Sequence, residues 1–173
     1  MDFFEVVIRN KRFKEFEPNQ TLSSDQIKQL LACAQLAPSL SDTQNFTYII
    51  VSDSDLKQQI AEKTTGFEWI KEAAAIFAVV VVTEEEDDIN IIDAIVSSSQ
   101  LMMAATATHL GSNFIVDFDQ DAVAELLGVV DTRLTVMGLI SIGATLDEGS
   151  QGYKRTLAEL SNHNKLGEPY NFD

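Results

Sequence analysis

Eight consecutive residues without a hydrogen-bonding side chain, Ala75-Ile76-Phe77-Ala78-Val79-Val80-Val81-Val82, constrain this chain more than any other feature. A short run rich in β-branched residues reads as a strand covered on both faces, so other elements must lie on each side of it. Asp88 to Leu110 can supply one of those layers. It contains neither Pro nor Gly, and its Ile, Val, Leu, Met and Ala residues are spread nearly all round a helix, which makes it the expected spine of the core. Between the two, Glu84 to Asp88 is an acidic run that reads as a solvated loop.

The remaining pattern alternates helices and strands. Phe3 to Ile8 suggests a short first helix. Ser23 and Gln26 have capping-box spacing, and Ile27, Leu30, Leu31 and Ala34 then repeat with helical period until Ala37-Pro38. Phe46 to Val51 reads as a strand and Ser54 to Thr65 as a helix ended by Gly66. Gly111 is the expected stop of the long helix, followed by a strand over Ser112 to Asp117 and a helix over Asp119 to Leu127 ended by Gly128. Leu134 to Ile142 reads as the last strand, and the tail has one short helical stretch, Thr156 to Ser161. No repeat or linker divides the 173 residues, so the expectation is a single α/β or α+β domain, 1–173. The poorly patterned tail, 144–173, is expected to pack on a partner subunit.

Charge excludes several roles. Twelve Lys and Arg against 27 Asp and Glu give a net charge of −15, which disfavours nucleic acid and anionic membrane surfaces as partners. The longest apolar run is too short to span a bilayer, the first residues lack the basic start of a signal peptide, and the single cysteine, Cys33, fits a reducing compartment; cytoplasm is the expectation. Glycine-rich nucleotide signatures, a His-Glu-x-x-His zinc motif and a Gly-x-Ser-x-Gly elbow are absent from the sequence. Cys33, His109, Met102 and Met103 read as packing or capping residues, and Trp69 as a core or interface aromatic.

Against the global trend, Arg9, Lys11, Arg12 and Lys14 fall within six positions that hold no acid. A cation cluster repels itself, and an anionic ligand relieves that repulsion; Arg adds a planar fork suited to phosphate. A solvated basic turn is the equal alternative. Lys154-Arg155 forms a second basic pair in the tail.

The stretch Val6 to Phe16, the capped helix after it, Leu36-Ala37-Pro38-Ser39 and Gln44 before a strand together resemble the start of the FMN-dependent nitroreductase family. Leu110-Gly111-Ser112-Asn113-Phe114-Ile115 is similar to the family motif after its long central helix, and Lys154-Arg155-Thr156-Leu157 to its C-terminal Arg-containing motif. The four motifs occur in family order along nearly the whole chain.

The resemblance implies an α+β three-layer sandwich, with a central mixed β-sheet between helices, assembled as a homodimer with FMN at the subunit interface. NADH or NADPH is the implied hydride donor and a nitroaromatic or quinone the implied small-molecule acceptor, in ping-pong turnover with no catalytic side chain. Asn10, Arg12 and Lys14 match the motif that holds the FMN phosphate and ribityl chain, with Lys154 and Arg155 closing it from the tail. Pro38, Ser39, Leu40, Asp42 and Gln44 match the segment that reaches the flavin from the other protomer. Ile115 and Val116 match the backbone that approaches the ring. Three departures stand out: Asn10 where the family usually has Arg, the acid Asp42, and Val116-Asp117 where it often has Gly-Gly. They motivate an alternative, a non-catalytic flavin-binding or interaction protein of the same fold.

Overall fold

The Val-rich run forms β2 (Ala75–Val82), and it is buried on both faces, as its sequence requires: Ile76, Phe77, Ala78 and Val79 are all 0% exposed. The computed structural model describes residues 1–40, 42–83 and 88–172. β2 lies between β1 (Phe46–Val51) and β4 (Leu134–Gly143), and β3 (Gly111–Ile115) flanks β4 on the far side. All three pairings are antiparallel, which corrects the expected mixed sheet. The mixed sheet is what the family resemblance implies. Instead β4 enters between β2 and β3, which run the same way, and so keeps those two strands from pairing.

Strand alternation sorts the core into two halves. Phe77, Val79 and Val81 face α2 (Ser24–Gln35) and α4 (Ile89–Ala107), where Leu30, Ala34, Leu101 and Ala105 are buried. Ile76, Ala78 and Val80 face α3 (Ser54–Ala61), a 3-10 turn (Glu68–Glu72) and α5 (Gln120–Leu126), where Ile60, Ile70 and Val123 are buried. Three layers result. A bulge between Val79 and Val80 admits an extra residue on β4, so Val136 and Leu139 share one face despite their odd spacing.

Most expected boundaries hold. The Ser23–Gln26 capping box is present at α2, and Gly128, at φ +70°, ends α5. The helix after Ser54 stops at Ala61, four residues early, and β3 stops at Ile115, short of Asp117. Gly111 does not end α4. His109 does so in the left-handed region at φ 64°, with its N–H donating to Thr106 O and that of Leu110 to Ala105 O. Gly111 is already the first residue of β3, needed as glycine for a different reason: a Cβ there meets the Phe13 ring at 2.8 Å.

α4 is long and apolar enough to cross a membrane by composition, yet half of it is buried inside the protein, and it packs on α2, β2 and β3 as the core helix. Of the acidic run before it, residues 84–87 lie outside the described residues, and Asp88 is an exposed turn residue. α1 (Phe3–Arg9) packs on α4 but leaves Phe3, Phe4 and Ile8 exposed. Among the described residues the tail, with α6 (Leu157–Leu160), contributes none to the buried core; Tyr153 is 84% and Leu166 95% exposed.

Candidate functional site

The basic segment after α1 is extended and clamped from two sides. Arg12 N–H donates to Ser150 O at 2.9 Å and Arg12 O accepts from Ser150 N–H at 2.8 Å, while Phe13 N–H reaches Ser112 O at 3.3 Å. Asn113 Nδ2 donates to Phe13 O at 3.0 Å. The chain therefore passes between the start of β3 and the first part of the tail, with the Phe13 ring wedged between Gly111 and Gly149. Arg12 Nη2 lies over Gly152, so a Cβ there would displace the guanidinium.

The four cations do not converge. Arg9 pairs with Glu5 at 2.9 Å, and Lys11 Nζ donates to Glu148 O at 3.0 Å. Both line a cavity of about 350 Å³ with Phe13, Asp147 and Glu148, so acids remote in sequence enter the stretch that holds none. Among the described residues, Arg12, Lys14 and Lys154 have no ion-pair partner. Lys14 N–H donates to Asp147 Oδ2 at 3.1 Å. The buried side-chain oxygens without a hydrogen-bond partner among the described residues, Ser112 Oγ and Asp147 Oδ1, belong to residues of this same clamp. Asn10 is half-buried as the C-terminal cap of α1, its N–H donating to Val6 O. Arg155 is exposed and turned along the tail, its guanidinium donating to Glu159 O.

The second group of expected residues is held by α4. Asp93, 2% exposed, is the one charged residue of that helix. Its Oδ1 accepts from Leu40 N–H at 2.8 Å, and its Oδ2 takes the Ser39 hydroxyl. Ser39 Oγ in turn accepts from Asp42 N–H at 3.0 Å. Asp42 and Gln44 both lie in the left-handed region, at φ 57° and 49°, an unfavourable backbone for residues other than glycine. Gln44 Nε2 donates to Gln35 O at 2.9 Å. Pro38 and Leu40 are exposed.

Gln44 also lines a cavity of about 230 Å³ with Leu31, Ala34, Gln35, Phe46, Thr47 and Tyr48. Tyr48 Oη is 2.9 Å from Ser97 Oγ, which donates to Ala34 O. Burial raises the Tyr48 pKa, with the Ser97 and Ser98 hydroxyls opposing, so its phenol stays protonated at neutral pH. At the end of β3, Ile115 is buried and Val116 is 61% exposed.

Within one chain the two groups stand apart. Ser39 and Leu40 are tied to the second turn of α4, whereas Arg12 and Phe13 are tied to Ser112, beyond its other end. At the rise of an α-helix, Asp93 and the end of α4 are about 20 Å apart. Sequence reasoning overlooked Asp93, Tyr48 and Ser97. For Asp93 the signal was available, a lone acid inside an otherwise uncharged apolar helix.

The fold is similar to that of solved nitroreductase structures. An FMN-dependent nitroreductase from Clostridium difficile superposes with a TM-score of 0.83 at 20% identity, over 95% of this chain and 100% of that one. A provisionally assigned nitroreductase from Exiguobacterium sibiricum, solved in complex with FMN, gives 0.87 at 20% identity over 94% and 97%. In sequence, the oxygen-insensitive NADPH nitroreductase of Helicobacter pylori is 36% identical over 67 residues, 38% of this chain and 32% of that protein. The profile of the nitroreductase family matches residues 11–78. Over those residues the chain is similar to the nitroreductase family.

Proposed function

We propose that the protein is an FMN-dependent oxidoreductase that takes hydride from NADH or NADPH and passes electrons to a small acceptor such as a nitroaromatic or a quinone. The observation that carries this reading is the reach of the family match: residues 11–78 contain Arg12 and Lys14 as well as Pro38 to Gln44. The donor set suits a phosphate. Among the described residues Arg12 and Lys14 have no ion-pair partner, and of the two acids at the clamp, Asp147 and Glu148, Asp147 is bonded to the Lys14 backbone rather than to its ammonium group. Ser112 Oγ adds an unsatisfied hydroxyl at the same place.

When bound, FMN supplies the redox chemistry, accepting hydride and passing electrons on. The protein's part is to bind and to orient. Arg12 and Lys14 hold the phosphate, with Lys154 and Arg155 close in sequence to the tail residues that grip Arg12. Pro38, Ser39, Leu40, Asp42 and Gln44 reach the ring from a second copy, and Ile115 and Val116 bring backbone to it. A second copy is required because the two groups lie about 20 Å apart along α4 in a single chain. The exposed apolar side chains of α1, with Ile92, Ile95 and Val96 on α4, and the uncovered tail give that copy a surface to bury. Donor and acceptor occupy one pocket in turn, which gives ping-pong kinetics. The single cysteine and the acidic surface fit a cytoplasmic enzyme.

The exposed Val116, in a position where a glycine allows closer backbone approach, favours the second reading, a flavin-binding protein without turnover. An absorbance spectrum followed by anaerobic titration with each nucleotide separates the two. Bleaching of the flavin band supports the enzyme; bound flavin that stays oxidised supports the second reading. A colourless protein that cannot be reconstituted with FMN refutes the enzyme and supports a non-catalytic interaction protein of the same fold. Sedimentation at micromolar concentration is expected to give the dimer mass, and a monomer there refutes the shared site.

A further inference from the structure

We propose that the cavity between α3, the 3-10 turn and the loop before α2 binds a small hydrophilic carboxylate, whose anionic group takes the protons that Lys57 has to spare. The inference is independent of the flavin reading above and concerns a different part of the molecule.

Lys57 is the one buried cation among the described residues, at 8% exposed. An ammonium group has three protons, and among the described residues its one hydrogen-bond acceptor is Ala73 O, at 2.6 Å from Nζ. A charge withdrawn from water is costly unless it is compensated. Here the compensation is incomplete: burial lowers the Lys57 pKa and outweighs the opposing pull of Glu72 and Asp53. An anion in the adjoining cavity makes up the difference. That cavity has a volume of about 430 Å³, and its nine lining residues are all polar: three amides, three hydroxyls, Lys57, Lys71 and Glu72. Without an apolar or aromatic wall it offers nothing to a flavin ring or a nitroaromatic, and it suits a body that carries hydroxyl groups. Among the described residues Lys71 has no ion-pair partner, so two lysines stand against one acid in the lining. A single positive charge in excess matches a carboxylate, whereas a phosphate dianion brings more negative charge against Glu72. The site is separate from the clamp around Arg12. Ser52 follows β1 and Ser112 lies at the start of β3, at the same end of the sheet but three strand spacings, about 14 Å, apart.

The test titrates the full-length protein with glycolate, glycerate and gluconate at about 0.15 M salt, following backbone amide shifts by NMR. Inorganic phosphate and uncharged glycerol are the controls. Saturable shifts at residues 19–21 and 52–58 are expected for at least one of the carboxylates, weaker binding for phosphate and none for glycerol. Lys57→Met is expected to weaken the carboxylate roughly 10-fold or more, because it removes a charge-assisted hydrogen bond, and Lys71→Ala by about 3-fold, because Lys71 is only half-buried. The absence of saturable shifts with all three carboxylates, shifts centred on Arg12 and Ser112 instead of the cavity, or affinities unchanged by both substitutions overturn the proposal. Phosphate binding tighter than every carboxylate overturns the class of ligand. Should Lys57→Met fail to fold because Ala73 O loses its donor, Lys71→Glu decides in its place: reversing a charge in the lining should abolish saturable binding, and an unchanged affinity overturns the site.

Discussion

Replacing Gly111 by alanine puts a methyl group where the structure has no space for one. The added Cβ lies 2.8 Å from Cγ and Cδ2 of Phe13 and closer still to Cγ2 of Thr145. Phe13 cannot retreat, because its other edge rests on Gly149, where a Cβ would stand 2.8 Å from Phe13 Cε1. Overpacking of this kind costs about 1–3 kcal/mol. Taking about 2 kcal/mol, the thermal midpoint of a chain this size should fall by about 4–8 °C, read by circular dichroism. The loss is local in origin: Phe13 N–H bonds Ser112 and its carbonyl accepts from Asn113, so the methyl group pushes the basic segment away from β3 and weakens FMN binding as well. Pairing Gly111→Ala with Thr145→Ser removes the nearest clashing methyl and should recover part of the midpoint. A Gly111→Ala protein that melts within about 1 °C of the unaltered one and binds FMN equally well refutes the wedge.

Arg12→Ala should weaken FMN by roughly 10- to 100-fold and riboflavin far less, because a charge-assisted hydrogen bond is worth about 1.5–3 kcal/mol and only FMN carries the phosphate; equal losses in a fluorescence titration contradict the phosphate role. Hydrogen bonds from the Arg133 side chain and backbone, aided by its charge, pull the Asp131 carboxyl from 3.8 down to about 2. Its contribution is therefore full above the ordinary carboxylate value and lost as the pH falls toward about 2, so Asp131→Asn should lower stability slightly at neutral pH, flatten the profile in that acid window and converge with the unaltered protein near its lower end, as acid titration of the unfolding midpoint would show. His109→Gly should raise the midpoint by about 2–4 °C, since glycine takes the left-handed conformation without the cost of about 1 kcal/mol paid by histidine, whereas His109→Val should lower it.

The sequence showed what is local and missed what distant segments contribute. The capping box of α2 and the two-faced burial of β2 depend on neighbours within a few positions, and both could be read directly. Gly111 was misread because glycine serves equally as a helix stop and as a close-packing residue, and only the fold brings Phe13 and Thr145 against it. The basic run looked free of acids since Asp147 and Glu148 approach it from more than 130 positions away. The antiparallel sheet was hidden by the same cause, for nothing near β2 or β3 announces that β4 comes between them. Of the site, the segments were legible by resemblance. The carboxylate that ties down one of them was not, because its role needs two donors more than fifty positions away.

The insertion of β4 also sets a timetable for synthesis. As the chain leaves the ribosome, β1 and β2 can pair as soon as residue 82 is free, but β2 keeps an open, Val-rich edge until residues 134–143 arrive. β3 has no partner strand at all before then. An apolar edge left unpaired for some fifty residues of elongation, a few seconds at about 5–20 residues per second, is a template for pairing with other nascent chains. The two-faced burial that makes β2 the centre of the finished sheet makes it, during translation, the segment most in need of a chaperone.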